Sequence, residues 1–260
     1  MAAPTTRFFA EIAYLGTRYH GWQRQPGKTG VQEVLETALS TILQVPMAIS
    51  GCGRTDTGVH AQQYFLHFDV VLNLPTDLVS RLNRMLPADI AVRSIQPVEP
   101  SCHARFSACL RTYQYHISFR KDPHRQGLSW WYNLPRRPKE DLLHQAATLF
   151  LRSAPFAPFC KTGHQLEDLT CQVSASNWSF FPAEEKAVFT ISANRFLRGM
   201  VRLIVGAQIL AATGKLALED IESALIQQSP LARTFSVPAE GLTLSEVRYP
   251  WDEKKGTTSA

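Results

Sequence analysis

The sequence predicts an α+β fold made of two halves that share one order of elements. In each half, short runs rich in aromatic and β-branched residues, typical of strands, alternate with segments of helical period in the order β-α-β-β-α-β. The composition agrees with a globular protein, because 45% of the 260 residues are apolar and 19% are charged. A chain of this length can bury a substantial core.

The first half, residues 1–102, is predicted to contain four strands and two helices. Residues 7–15 are rich in aromatic and apolar side chains, as a strand requires, and Val31, Leu35 and Ile42 recur at helical spacing. The predicted strands are 7–15, 46–50, 63–71 and 90–98, and the predicted helices are 31–43 and 75–85.

The second half, residues 103–260, is predicted to repeat this order with one added helix. The helix over 138–151 begins with proline followed by acidic residues, and the helix over 196–212 ends just before Gly214. The junction between the two predicted domains falls near residues 97–103. The predicted strands are 111–119, 170–181, 187–193 and 242–249, and the predicted helices are 138–151, 196–212 and 218–227.

Charge and cysteine usage narrow the class of protein. The chain carries 27 lysines and arginines against 22 acidic residues, for a net charge of +5, which favours a polyanionic partner. Five cysteines without C-x-x-C spacing predict neither a disulfide framework nor a zinc site. No apolar run approaches the ~20 residues of a membrane helix, and the N-terminus lacks a signal peptide pattern. We therefore expect a cytoplasmic protein that does not associate with a membrane.

The stretch GCGRTDTGVHA, residues 51–61, places a carboxylate at a glycine-flanked turn. Asp56 could simply cap the turn through a backbone N–H, or it could be a reactive group, since Arg54 and His60 concentrate polar chemistry beside it. The triplet D-T-G also occurs in aspartic proteases, which need two carboxylates that share one proton. The chain has one such triplet, and a neighbouring arginine and histidine favour the ionised carboxylate, so this alternative is disfavoured.

A second cluster lies in HARFSACLRTYQYHISF, residues 103–119. Tyr113 and Tyr115 are two residues apart and are predicted to share one face of a strand, with Arg105 and Arg111 nearby. The tyrosines could form an aromatic stripe in a core, or one ring could stack on a nucleobase.

A third cluster lies in NRFLRGMVRLIVG, residues 194–206, where three arginines recur in a predicted helix. Arg195, Arg198 and Arg202 are predicted to share one stripe of this helix, which could be a solvated basic face. Alternatively, one could pair with a buried carboxylate while the others meet phosphate.

These clusters resemble the TruA family of tRNA pseudouridine synthases. YHGWQRQP, GRTDTGVHA, LNRMLPADIAV, HARFSA with RTYQY, FLRGMVR and EGLTLSEVRYP follow the family's order from about Tyr14 to Pro250. The resemblance implies the pseudouridine synthase fold, in which two ferredoxin- or RRM-like halves join through a continuous, mostly antiparallel sheet flanked by helices. It also implies isomerisation of uridine to pseudouridine at positions 38, 39 and 40 of the tRNA anticodon stem-loop, by a homodimer without cofactor or metal.

The resemblance also implies roles for four residues. Asp56 matches the catalytic carboxylate, and Arg54 resembles the arginine that helps displace the target base during base flipping. Tyr113 resembles the tyrosine that stacks on the target uracil, and Arg202 resembles the basic residue that pairs with the catalytic aspartate. Arg195 and Arg198 occupy variable positions, so the resemblance assigns them no RNA contact.

The competing interpretation is a non-catalytic RNA-binding module, because two β-α-β-β-α-β halves match the order of paired RRM domains. Such domains display aromatic residues in a K/R-G-F/Y type of motif, which this chain lacks. Asp56 would also have no purpose in such a module. The sequence therefore favours an enzyme that acts on tRNA rather than DNA.

Overall fold

The computed structural model describes residues 5–71, 73–161 and 168–252. Its strands are β1 (Thr6–Tyr14), β2 (Ser50–Gly51), β3 (His60–Val70), β4 (Ile90–Val98), β5 (Leu110–Ser118), β6 (Trp130–Trp131), β7 (Ser153–Pro155), β8 (Thr170–Phe181), β9 (Lys186–Ala193) and β10 (Leu242–Arg248). Its helices are α1 (Val31–Leu43), α2 (Leu78–Met85), α3 (Glu140–Thr148), α4 (Met200–Ala212) and α5 (Leu218–Gln227).

The α+β class and the mostly antiparallel pairing of the strands are confirmed. The predicted helices are all present, and so are the predicted strands apart from 46–50, of which only Ser50 lies in a strand, β2. The bounds of α1, α5, β4 and β8 are as predicted. The short strands β6 and β7 were not predicted, because two or three residues carry no recognisable period. The pairs of β1 with β3 and β4, and of β9 with β5 and β8, are antiparallel, whereas β6 runs parallel to β5.

The chain divides into two compact units. Unit 1 comprises Met1–Cys109 and Leu244–Ala260, and unit 2 comprises Leu110–Thr243. The prediction of domains 1–102 and 103–260 stays a prediction. The residues from Leu244 onward, which include most of β10, belong to unit 1 together with the N-terminal part of the chain.

Unit 1 places strands in the order β4-β1-β3-β10, with β2 beside β3. Its core forms where one face of this sheet meets the apolar stripes of the two helices. Ala10, Ile12 and Tyr14 of β1 are buried at alternate positions, as the two-residue period of a strand requires. Leu35 of α1 and Leu82 of α2 are also buried.

Unit 2 places strands in the order β5-β9-β8-β7, with β6 beside β5, and contains α3, α4 and α5. In α4, every residue except Arg202 and Leu203 is buried, so this helix is apolar around most of its circumference. Buried Gln208 of α4 accepts a hydrogen bond from the Trp178 indole N–H at 2.5 Å. This helix is therefore the centre of the core of unit 2.

Among the helices that the structure describes, none combines the length and apolar character that would be needed to cross a bilayer.

Candidate active site

Asp56 lies in the turn between β2 and β3, in unit 1. Its side chain is half-buried, whereas Arg54 is exposed and Thr55 is buried. The Val59 N–H donates to the Asp56 carbonyl at 3.1 Å, and Gly58 has a φ of +80° that few side chains tolerate. The predicted sharp turn is confirmed, with Gly58 as the residue that requires a glycine.

The backbone of this turn is tied to the segment that follows β1. The Trp22 N–H donates to the Thr55 carbonyl at 3.2 Å, and the Gly58 N–H donates to the Tyr19 carbonyl at 3.3 Å. The Gly16 N–H donates to Nδ1 of buried His60 at 3.0 Å. The YHGWQRQP motif therefore has a structural task, because it forms one wall of the turn that carries Asp56.

Two tyrosine hydroxyls also bind the turn. The Tyr14 hydroxyl and Thr55 Oγ1 form a hydrogen bond of 2.8 Å, and the Tyr64 hydroxyl donates to the Gly53 carbonyl at 2.5 Å. Both tyrosines are buried. The sequence predicts no such role for either tyrosine, because each has the pattern of an aromatic residue in a strand.

An acidic residue directly before β4 anchors the same wall. The Asp89 carboxylate accepts a hydrogen bond from the Arg18 guanidinium and another from the Tyr19 hydroxyl, each at 2.6 Å. Burial opposes ionisation of Asp89, but these two hydrogen bonds outweigh it and hold its pKa below the ordinary value. Burial and the hydrogen bond to Asp89 raise the pKa of Tyr19 to about 12, so Tyr19 stays a hydrogen-bond donor at neutral pH.

In unit 2, Tyr113 and Tyr115 lie on β5 with different surroundings. Tyr115 is fully buried, its hydroxyl donates to the Pro238 carbonyl at 2.9 Å, and burial raises its pKa. Tyr113 is half-buried and meets the edge of the Phe196 ring, with centroids 5.2 Å apart. Of the two predicted alternatives, a core stripe and a ring that stacks on a base, the first applies to Tyr115. Tyr113 remains the candidate for contact with a base.

Arg202 lies in the first turn of α4 and is held by the segment before β10. Its Nε–H donates to the Val237 carbonyl at 2.7 Å, and the Val237 N–H reaches the Arg202 carbonyl at 3.3 Å. A Cβ on Gly206 would lie 1.6 Å from the Phe235 carbonyl oxygen, so glycine is what lets this segment cross the helix closely. Arg202 is therefore fixed both by its helix and by a crossing segment.

The prediction that Arg195, Arg198 and Arg202 share one helical stripe is wrong. The helix begins at Met200, because Gly199 has a φ of +69° and lies outside regular helical geometry. Arg195 and Arg198 thus precede the helix. Arg195 lies 3.9 Å from the Asp168 carboxylate, and Arg198 is exposed.

The turn over residues 103–107 in unit 1 is organised by two uncharged histidines. Nδ1 of His67 accepts the Ala104 N–H at 3.2 Å, and Nδ1 of His103 accepts the Arg105 N–H at 3.0 Å. Burial, with the nearby His103 and Arg7, lowers the pKa of His67 to about 4. The turn presents Phe106, which is 75% exposed, at its tip.

The four predicted site residues thus fall into two pairs. Arg54 and Asp56 lie together on one turn of unit 1, where the carboxylate is half-buried and able to act as a nucleophile or base. Tyr113 and Arg202 lie in unit 2, on β5 and α4. An aromatic ring such as that of Tyr113 can stack on a base, and a guanidinium such as that of Arg202 can pair with an anion.

Comparison with known proteins identifies the class. A family model described as tRNA pseudouridine synthase matches residues 10–107 and 146–250. The chain belongs to this family of RNA-modifying enzymes, which confirms the resemblance and the predicted enzyme class.

Individual relatives within this family carry the name tRNA pseudouridine synthase A. The chain is similar to the protein named tRNA pseudouridine synthase A of Porphyromonas gingivalis, with 39% identity across 95% of this chain and 98% of the relative. The protein of that name in Bacteroides thetaiotaomicron is 39% identical across 95% of this chain and 91% of its own length. The protein of that name in Azobacteroides pseudotrichonymphae is 37% identical across 94% of this chain and 97% of its own length.

Proposed function

We propose that this protein isomerises uridine to pseudouridine at positions 38, 39 and 40 of the tRNA anticodon stem-loop, with Asp56 as the catalytic carboxylate. The observation that carries the proposal is the turn between β2 and β3, which holds a half-buried carboxylate beside an exposed arginine. The family match spans this turn and helix α4, which carries Arg202, whereas β5 with Tyr113 lies between the two matched segments.

The proposed reaction breaks the C1′–N1 bond of uridine, turns the uracil and joins C1′ to C5. The proton on C5 is released and N1 gains one, so the product has the same mass as the substrate and no electron carrier takes part. Asp56 attacks C1′ as a nucleophile or removes a proton from the sugar as a base, and both routes are compatible with an ionised carboxylate.

Arg202 and Tyr113 support this carboxylate and the uracil in the proposal. Arg202 pairs with Asp56, which keeps the carboxylate ionised and directed. The Nε–H of Arg202 donates a hydrogen bond to the Val237 carbonyl, which supports a fixed direction for the guanidinium. Tyr113 stacks on the uracil, and its half-buried ring against Phe196 supports that task.

Arg54 has the task of replacing the target base in the RNA helix. The reacting base must leave the stack before its glycosidic bond can be reached. The exposure of Arg54, next to two buried or half-buried residues, supports a side chain that extends toward RNA. The positive net charge of +5 supports affinity for the phosphates.

The proposal includes a cytoplasmic homodimer that uses neither cofactor nor metal, as the resemblance implies. Sedimentation equilibrium of the purified chain tests the dimer, for which the expected mass is twice 29.1 kDa. A mass of one chain at micromolar concentration would remove the dimer from the proposal and leave the chemistry standing.

The deciding experiment is release of tritium from C5-labelled uridine in a tRNA transcript, with wild type and Asp56→Asn measured side by side. We expect release by wild type only, with tRNA affinity of the variant within about tenfold of wild type. Loss of both turnover and binding in a folded variant would make Asp56 a binding group. No release by wild type from several tRNAs that bind tightly would instead favour the non-catalytic RNA-binding module.

Arg54→Ala separates base flipping from binding in the same assay. We expect a larger loss of turnover than of tRNA affinity, because Arg54 acts in the proposal only once the base has left the stack. An unchanged turnover rate would exclude this role.

A further inference from the structure

Tyr14, Trp22 and Tyr64 form one buried aromatic cluster beneath the Asp56 turn, here called the aromatic clamp. The rings of Trp22 and Tyr64 stack with centroids 4.2 Å apart, and Tyr14 meets Tyr64 edge-on at 5.6 Å. All three side chains are at most 3% exposed. They come from β1, the segment after β1, and β3, so they form a rigid base of several elements.

The two hydroxyls of the clamp reach the turn on either side of Arg54. The Tyr64 hydroxyl binds the carbonyl of Gly53, one residue before Arg54, and the Tyr14 hydroxyl binds the side chain of Thr55, one residue after it. Thr55 is also the residue directly before Asp56. The turn is therefore held at Gly53 and at Thr55. Arg54 directly follows the first of these residues, and Asp56 directly follows the second.

Packing alone does not require these hydroxyls. A phenylalanine ring would fill the same buried volume, and a hydroxyl in a core costs free energy unless it finds a partner. Here the partners are in the turn. A Cβ on Gly51 would lie 1.9 Å from the Tyr64 hydroxyl oxygen, so the chain also reserves space for this hydroxyl.

We propose that Tyr14 and Tyr64 are positioning residues, which fix the directions of Arg54 and Asp56 through Thr55 and Gly53. This inference rests on the proposed function, in which Asp56 is the catalytic carboxylate. A reacting group has to be held within about 0.5 Å of its productive position, and a displacement of about 1 Å can cost a hundredfold in rate. A turn without regular secondary structure needs outside hydrogen bonds to reach that precision.

The test compares Tyr14→Phe, Tyr64→Phe and the control Tyr249→Phe in the full-length protein. Tyr249 is a matched control, because it is a buried tyrosine of unit 1 whose hydroxyl donates to the Ala104 carbonyl at 2.8 Å, away from the Asp56 turn. We expect kcat to fall about tenfold in each of the first two variants, with KM and tRNA Kd within about twofold. We expect Tyr249→Phe to lower the melting temperature about as much as Tyr14→Phe and Tyr64→Phe do, and to keep the kcat of wild type.

A double-mutant cycle on Tyr14 and Thr55 separates positioning from general destabilisation. Thr55→Val removes the partner hydroxyl and should reproduce the kcat of Tyr14→Phe, whereas Thr55→Ser keeps the hydroxyl and should retain a rate near that of wild type. The double variant Tyr14→Phe, Thr55→Val should be no slower than either single variant, because the two residues act through one hydrogen bond.

Two results would overturn the proposal. The first is a kcat for Tyr14→Phe and Tyr64→Phe equal to that of Tyr249→Phe, and the second is equal loss of rate in Thr55→Ser and Thr55→Val. Asp56→Asn is measured in parallel. If that variant retains turnover, the proposed function fails; if it is inactive while the tyrosine variants match the control, only the positioning role fails.

Discussion

The two units hold their candidate reactive groups in different ways. In unit 1, Arg54 and Asp56 lie on a turn, and hydrogen bonds from Tyr14, Tyr64 and the segment over 16–22 fix that turn. In unit 2, Tyr113 lies on a strand and Arg202 on a helix, and the Arg202 guanidinium is also held by the backbone carbonyl of Val237. The turn is therefore held in part by side-chain hydroxyls elsewhere in the unit, whereas the groups of unit 2 are held through backbone hydrogen bonds, those of their own elements and that of the crossing segment.

Both units nevertheless use a glycine at the place where a second backbone passes closest. Gly16 faces the Val59 carbonyl in unit 1, and Gly206 faces the Phe235 carbonyl in unit 2. The passing segment leads out of the Asp56 turn in the first case and lies just before the contact with Arg202 in the second. The consequences of adding a methyl group should therefore differ between the units.

The largest effect is expected from alanine at these two glycines. The added Cβ would lie 1.6 Å from the Phe235 oxygen in Gly206→Ala and 1.9 Å from the Val59 oxygen in Gly16→Ala. We expect each variant to lose about 3 kcal/mol of unfolding free energy in urea titrations, in line with severe overpacking. Gly16→Ala should also lose turnover more than tRNA affinity, because Val59 leads out of the Asp56 turn.

Gly53→Ala is the control for that prediction, since a Cβ there meets no atom within 4 Å. Its unfolding free energy should match wild type within about 0.5 kcal/mol. Alanine favours a helix over glycine by about 1 kcal/mol, so a stabilised Gly206→Ala protein would show that the crossing segment moves freely.

Acid should weaken unit 1 through His67. This residue has a pKa of about 4 in the folded state against 6.5 in the unfolded chain, because of burial, His103 and Arg7, with Asp69 acting in the opposite sense. Between these values the unfolded chain binds more protons, so stability is lost as pH falls from about 6.5 to about 4. The loss attributable to His67 is at most about 3 kcal/mol.

Urea titrations from pH 7 to pH 4 check this contribution against two variants. His67→Gln should flatten the slope of unfolding free energy against pH, whereas His144→Gln, at an exposed histidine of unit 2, should leave it unchanged. A slope in His67→Gln equal to that of wild type would assign the acid sensitivity to other groups.

The smallest effect is expected from Tyr115→Phe, which removes the hydroxyl that donates to the Pro238 carbonyl. The carbonyl lies beside Val237, the partner of Arg202. We expect a loss of about 1 kcal/mol in unfolding free energy, as for a buried hydrogen bond, and turnover within about threefold of wild type. A tenfold loss of turnover would show that Arg202, too, depends on distant hydroxyls, and would remove the contrast between the units.

Most of the fold could be predicted because its longer elements have a clear period. Helix α1 carries apolar residues on one stripe, and β8 alternates, so their bounds follow from the sequence. The start of α4 could not be placed, because residues 196–199 continue the apolar period while Gly199 takes a positive φ. A period reports which side chains face the core and does not report the backbone angle of a single glycine.

The candidate site was predictable in part for a similar reason. Asp56 and Arg54 stand out because polar groups between glycines are unusual in a connector between strands. Tyr14 and Tyr64 are apolar in pattern, and only the position of Thr55 and Gly53 in space shows what their hydroxyls bind. Hydrogen bonds across 41 and 11 residues of chain leave no local signal.

The hydrogen bonds of the Asp56 turn also bear on how this part of the chain opens. The amides of Cys52, Gly58 and Val59 all donate to backbone carbonyls, although they lie outside regular secondary structure. The partners of Cys52 and Gly58 are the carbonyls of Phe65 in β3 and of Tyr19, and Tyr19 is itself bonded to Gly16 and Asp89. Solvent exchange at the Cys52 and Gly58 amides should then require separation of the turn from β3 and from the segment after β1, whereas the Val59 amide, which donates to Asp56 in the same turn, should exchange by local opening. By its backbone angles this segment is a turn, but two of its amides should open only together with the elements that surround it.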